Sequence, residues 1–165
     1  ERAFSLFTQV VGRSGRSDKA GRAYIQTFTP ENPVIALAAM QDYDSFYESE
    51  IENRRNHLYP PFCDMVGIGF SGIDRAEVQA ASRQFLAQFA AFASAEYSDL
   101  PLRVLGPCES AIPRISGKYR WRMAVKCTFG ARTRELLWRT VRWSHAQSRN
   151  RPVSLYVDPR YESSI

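Results

Sequence analysis

The chain has 165 residues, 44% of them hydrophobic, which suits one globular domain, or a small domain plus a piece of another, and excludes a disordered polymer. No apolar run approaches the ~20 residues of a membrane-spanning helix, and no signal-peptide pattern opens the chain, so no membrane association is expected. Net charge is +5, unevenly spread: residues 103–151 hold twelve basic and two acidic side chains, residues 42–64 two basic and six acidic. The basic block fits a polyanion partner or an Arg-rich soluble surface.

Residues 1–13 place Phe4, Phe7, Val10 and Val11 at helical spacing. A chain that opens inside a helix, without Met, reads as a piece of a longer one. Gly12 and Gly15 weaken the helix, and GRSDKAG follows as a loop. RAYIQTF (22–28) alternates as a strand does. Pro33 opens a short apolar helix. Asp42 then caps a longer one, with Tyr43, Tyr47, Ile51 and Leu58 as its expected buried stripe and Glu50–Arg54 as an i,i+4 pair. Tyr59-Pro60-Pro61-Phe62 ends it, because neither proline continues a helix. A domain boundary is placed here, dividing 1–58 from 59–165.

Beyond it, DMVGIGF is a strand with Val66, Ile68 and Phe70 on one face. Asp74 and Glu77 form a capping box for a helix whose Val78, Ala81, Phe85, Phe89 and Phe92 share a side. LRVLG and KYRWRMAVKCT are two more strands, TRELLWRTVRWSHAQS a second helix and VSLYVD a last strand. The order β-α-β-β-α-β predicts a four-stranded antiparallel sheet with two helices on one face, an α+β domain.

Three cysteines without CxxC spacing and two histidines predict no zinc site within the chain, and free thiols suit a reducing cytoplasm. Neither a Walker A loop nor GxGxxG, HExxH or a nucleophile elbow is present, so no self-contained catalytic site is expected. Two basic stretches remain. In QVVGRSGR, Arg13 and Arg16 stand three apart, which on a helix is one face, and guanidinium groups suit phosphate oxygens. In KYRWRMAVKC, alternation puts Tyr119, Trp121, Met123, Val125 and Cys127 on one face and Arg120, Arg122, Ala124 and Lys126 on the other. The first face is expected to pack on helices and the second to lie open as a basic track, with Arg114 and Lys118 on an adjoining turn. Such a track neutralises phosphates without reading bases; the bland alternatives are an exposed basic helix end and a solvated sheet face.

Q-x-x-G-R-x-G-R, matched by Gln9, Gly12, Arg13, Gly15 and Arg16, resembles motif VI of superfamily 2 helicases, with Ser14 where alanine is frequent. GRAYIQTFTPENPVI, RRNHLYPPF, VLGPCESAIPRISGKYRWRMAVK and LYVDP resemble the C-terminal part of the PriA family of primosomal replication-restart helicases, across nearly the whole chain. The resemblance implies that residues 1–58 end a RecA-like lobe of α/β type and that residues 59–165 bind branched DNA. It implies a parent that is an ATP-driven 3′→5′ helicase using ATP and Mg, with zinc in an upstream cysteine-rich module and no cofactor bound by this segment alone. Gln9, Arg13 and Arg16 would serve its ATPase site. Implied partners are branched and single-stranded DNA, primosome proteins and the acidic tail of single-stranded DNA-binding protein, for which Arg132 is the candidate contact. The setting implied is the bacterial cytoplasm, at the nucleoid. The competing reading is a non-enzymatic nucleic-acid-binding module.

Overall fold

The structure, a computed structural model, describes residues 1–13, 22–147, 153–159 and 161. It divides into two units, Glu1–His57 and Leu58–Ile165.

The first unit holds α1 (Arg2–Arg13), α2 (Pro33–Met40) and α3 (Tyr43–His57). Its core is small: Phe4 stacks on Phe46 at 4.2 Å between ring centroids, beside the buried Ala38. Pro33 starts α2 because its missing N–H needs no partner there, and Asn32 caps it by accepting from the Val34 amide. Asp42 does the same for α3, accepting from the Ser45 amide at 3.1 Å. Arg54 pairs with Glu50 at 2.8 Å, as expected, and also with Glu1 at 2.9 Å.

Two expectations are corrected in this unit. Residues 22–28 form no strand, for among the described residues no other segment of the unit offers a ladder, and alternation without a partner makes no sheet. The buried residue of α3 is Phe46, whereas Tyr43, Tyr47 and Leu58 are exposed; the ring of Phe4 selects the face. On α1 only Phe4 is fully buried, and Val10 is exposed.

The second unit carries β1 (Asp64–Gly72), α4 (Arg75–Glu96), β2 (Arg103–Ile115), β3 (Lys118–Cys127), α5 (Ala131–Gln147) and β4 (Ser154–Asp158). The sheet order is β2-β3-β1-β4 and every neighbouring pair is antiparallel. β1 and β2 therefore run parallel with β3 between them, joined across it by α4; α5 likewise joins β3 to β4 across β1. Val66, Ile68 and Phe70 of β1 and Trp121, Met123 and Val125 of β3 meet Val78, Phe85 and Phe89 of α4. Leu136, Leu137 and Val141 of α5 join the same core. Full burial of such side chains stabilises by about 1.5–3 kcal/mol each. Asp74 caps α4 by accepting from the Glu77 amide at 2.9 Å.

β2 runs well past LRVLG. Pro107 and Pro113 suggest an end to the strand, yet β2 is an edge, where a missing N–H can face away from the ladder. Its pairing with β3 shifts register near both prolines, between Leu105 and Cys108 and between Glu109 and Arg114. Ser116 and Gly117, both at positive φ, close the β2–β3 hairpin as a two-residue turn whose twist suits the flanking strands.

Candidate nucleic-acid interface

The strand register builds the face of the sheet away from the helices. Three cross-strand rows run over it: Arg120–Ser71–Ser154, Arg122–Gly69–Tyr156 and Ala124–Gly67–Asp158, each read from β3 through β1 to β4. The middle strand thus carries two glycines where its neighbours carry an arginine, a tyrosine and an aspartate.

The glycines have a steric reason. A Cβ on Gly69 would stand 2.0 Å from Cζ of Tyr156, and a Cβ on Gly67 2.3 Å from Cδ2 of Tyr161. Two tyrosine rings therefore lie on bare backbone, and the Tyr161 amide continues the contact by donating to the Met65 carbonyl at 3.2 Å. Arg122 donates from Nη1 to the Tyr161 hydroxyl at 3.3 Å. Between these groups is a cleft of about 230 Å³ lined by Arg120, Arg122, Ser110, Tyr156, Asp158 and Tyr161.

Arg120 and Arg122 are half-buried and share this face, as alternation requires. Lys126 does not extend the track. It is 5% exposed, and its Nζ lies 3.4 Å from the ring centroid of Tyr59. Burial pushes its ammonium below the ordinary lysine value of 10.5, an effect partly opposed by Cys63. On β3 itself the basic track expected from the sequence is thus open at one end only, although Arg103, opposite Lys126 on the edge strand, is exposed. Arg114 pairs in register with Tyr119, on the helix side of the sheet, and its guanidinium carbon is 5.0 Å from that ring centroid. Lys118 is exposed at the hairpin and shares the parity of Arg120.

The helix side treats its cations differently. Arg132 pairs with Asp99, donates to the Glu96 carbonyl at 3.0 Å and lies 5.5 Å from the Tyr97 ring centroid. Arg139 pairs with Glu96, whose carboxyl it holds below the usual range by hydrogen bonding, and Arg75 pairs with Glu109 at 2.6 Å. Arg132 therefore ties the start of α5 to the end of α4. Among the described residues, Arg120 makes no ion pair.

In the first unit Gln9 and Arg13 are exposed on the last turns of α1, one turn apart. Arg16 lies outside the described residues, so its expected place on the same helical face does too. Among the described residues no cluster of His, Cys, Asp and Glu could hold a metal ion, and no helix is long and apolar enough to cross a membrane.

Sequence reasoning missed Tyr156, Tyr161 and Tyr59. The signal for the first two was Gly67-Ile68-Gly69: glycine inside a strand marks a close approach by another group. Which group approaches depends on β4, nearly ninety residues away.

Comparison with known proteins gives these residues a setting. A family model described as "Primosomal protein N C-terminal domain" matches residues 55–160. The replication restart protein PriA of Bacillus subtilis (strain 168) is 34% identical over 126 residues, 76% of this chain and 15% of that protein. PriA of Synechocystis is 33% identical over 126 residues, again 76% of this chain and 15% of its own length. PriA of Chlamydia pneumoniae reaches 47% over 72 residues, 44% of this chain and 10% of its own. The chain thus spans less than a fifth of the curated relatives it matches. A hydantoinase/carbamoylase family amidase from Burkholderia ambifaria overlays at a TM-score of 0.43 and 11% identity, over 61% of this chain and 28% of its own, too loose a likeness to carry an argument. With a family model covering well over half of its residues and relatives of one kind along most of its length, the chain belongs to the PriA replication restart family and corresponds to its C-terminal part.

Proposed function

We propose that the second unit binds branched DNA by its backbone through the open end of the sheet face, within a protein that restarts replication. The observation that carries this reading is the pair Arg120 and Arg122, side by side on a cleft without a carboxylate bridge, whereas Arg75, Arg132 and Arg139 on the helix side are held in ion pairs. Guanidinium groups in that state can exchange water for phosphate oxygens at little internal cost. Lys118 at the hairpin extends the contact. Contact with phosphates and no base-edge readout suits a protein that must recognise a fork by shape.

In the parent protein, residues 1–58 would end the second lobe of an ATP-driven 3′→5′ helicase. The exposed Leu6, Val10 and Met40 support this, as surfaces suited to packing against further chain. Arg13, exposed at the end of α1, and Arg16 would meet the γ-phosphate of ATP held with Mg on the other lobe, with Gln9 beside them. When bound, that nucleotide supplies the phosphoryl transfer that drives unwinding, and arginines so placed stabilise the charge of the transition state. Alone, this segment would hydrolyse no ATP. Zinc would belong to an upstream module, and the partners would be primosome proteins and single-stranded DNA-binding protein, in the bacterial cytoplasm at the nucleoid. Arg132, already held by Asp99, would meet an acidic tail only by exchanging that partner.

The test is a titration of a synthetic fork at several salt concentrations. Loss of both Arg120 and Arg122 to alanine should weaken binding to unrelated sequences alike and flatten the salt slope by about 1.8, at about 0.9 per phosphate contact. A folded double variant with the wild-type affinity and slope would refute the interface. An upstream coding sequence without a Walker A motif would favour the non-enzymatic nucleic-acid-binding module instead.

A further inference from the structure

We infer that the cleft on the open sheet face holds one unpaired nucleotide, its base against Tyr156 and its phosphate on Arg120 and Arg122. This rests on the DNA reading above and adds a preference that the reading lacks: phosphate contacts by themselves do not distinguish a single strand from a duplex.

The geometry divides the cleft into two walls. Row by row, Arg122 on β3 faces Tyr156 on β4 across Gly69, and Arg120 faces Ser154 across Ser71. Tyr156 is rooted on β4 but its ring lies over Gly69 of β1, one strand spacing or about 4.8 Å from β3, so a base against the ring keeps its own phosphate within reach of Arg120 and Arg122. The basic wall is suited to the phosphate. The aromatic wall is suited to the base, since any base has a π-face and an aromatic side chain accepts it without sequence preference.

Tyr156 is built as a platform. It is 50% exposed, yet its ring is placed: Cζ, Cε1 and Oη lie over Gly69, all closer than 2.5 Å to where a Cβ would be. Any side chain at position 69 would lift the ring. Bare backbone beneath the ring thus brings it down beside Arg122, and half of the residue is left for a second flat group. At about 230 Å³ the cleft is small beside the roughly 300–1,000 Å³ of sites for drug-sized ligands. A stacked duplex cannot offer a base to it. A fork, with its unpaired arm, can.

The experiment uses the whole 165-residue chain and two probes: a blunt duplex, and the same duplex with an unpaired arm carrying 2-aminopurine. The wild type should prefer the arm, and the 2-aminopurine emission should fall as it stacks. Tyr156→Leu should bind the arm about 5- to 150-fold more weakly and the blunt duplex within twofold of wild type, the range found when a base loses its aromatic platform. Tyr156→Phe should retain the arm preference. Gly69→Ala, which keeps the tyrosine and both arginines but displaces the ring, should behave like Tyr156→Leu; a thermal melt of each variant verifies the fold. The inference is overturned if a folded Tyr156→Leu chain keeps its arm preference, or loses affinity for both probes alike. It is also overturned if free deoxynucleoside monophosphate displaces the arm at stoichiometric concentration, which would make the cleft a site for small nucleotides. A wild type that binds both probes equally sinks the stacking site and leaves the phosphate reading standing. A wild type that binds neither sinks both.

Discussion

At one end of β3, Arg120 and Arg122 border a cleft; at the other, Lys126 lies beneath the ring of Tyr59, 5% exposed. All three side chains leave the same face of one strand, with Ala124 between Arg122 and Lys126. The difference comes from what covers them. At the Arg120 end the neighbouring strand carries Gly69 and Ser71, and the cover is partial. At the Lys126 end the chain entering the domain, Tyr59 to Cys63, packs down on the sheet, and Met65 stands beside Lys126 in register. A cation open to a ligand and a cation holding a polypeptide segment can therefore share one alternating motif. The arginine is suited to the first role by its planar, weakly hydrated charge; the lysine fits the second by burying its aliphatic stem under a ring.

The comparison can be broken most forcefully from behind. Trp121, between Arg120 and Arg122, faces the helices and is 4% exposed. Trp121→Ala should destabilise the domain by about 3–5 kcal/mol, as large core deletions do, and impair DNA binding only as the fold melts. Denaturant titration beside a fork titration well below the transition would reveal it; a stable variant that has lost DNA would show that the tryptophan itself meets the ligand.

A smaller effect comes from the closed end. Burial pushes the thiol of Cys127 up to about 11 from its ordinary 9.0, so the folded chain keeps a proton that the unfolded chain releases. That contribution is complete below pH 9 and is lost as pH rises through 11. It is at most about 2.7 kcal/mol. The stability gap between wild type and Cys127→Ala should thus narrow from pH 8 to pH 11. A constant gap would mean that the thiol is reached by water.

Lys126→Ala should cost about 1–2 kcal/mol, through the lost contact with Tyr59 and the lost stem packing, and leave the salt slope of fork binding unchanged. A slope flattened by about 0.9 would put Lys126 on phosphate and erase the distinction between the two ends. The smallest effect belongs to Arg132→Ala. Its pair with Asp99 is half exposed, so the loss should be about 0.2–1 kcal/mol in a thermal melt. In Arg132→Glu, unchanged affinity for an acidic tail peptide of single-stranded DNA-binding protein would remove that residue as a partner contact.

Much of the second unit was legible in its residues. Val66, Ile68 and Phe70 alternate and are buried; Asp74 caps α4 through the Glu77 amide, one half of the box that the two residues spell; Trp121, Met123 and Val125 face the core. These are local patterns, set by the two-residue period of a strand and the orphan amides of a helix end. The first unit was less legible, because its packing hangs on a single pair of rings. Three residues of α3, Tyr43, Tyr47 and Ile51, could have formed the stripe, and Phe4, some forty residues earlier, picked Phe46 instead. RAYIQTF alternates as well as any strand in the chain, but a strand exists only when another segment accepts its hydrogen bonds.

The sequence by itself determined which side chains of β3 share a face, that the arginines would oppose the tryptophan, and that a replication restart family was the place to look. The tertiary structure alone decided which of those cations meet solvent. Alternation is a property of one segment, whereas exposure depends on registers between segments far apart: Tyr156 shares a row and a cleft with Arg122 only because β1 pairs with both their strands, and Tyr59 reaches Lys126 only because the chain before β1 folds back over the sheet. No period within KYRWRMAVKC carries that information, since the free energy that closes one end and leaves the other open is contributed by residues outside it.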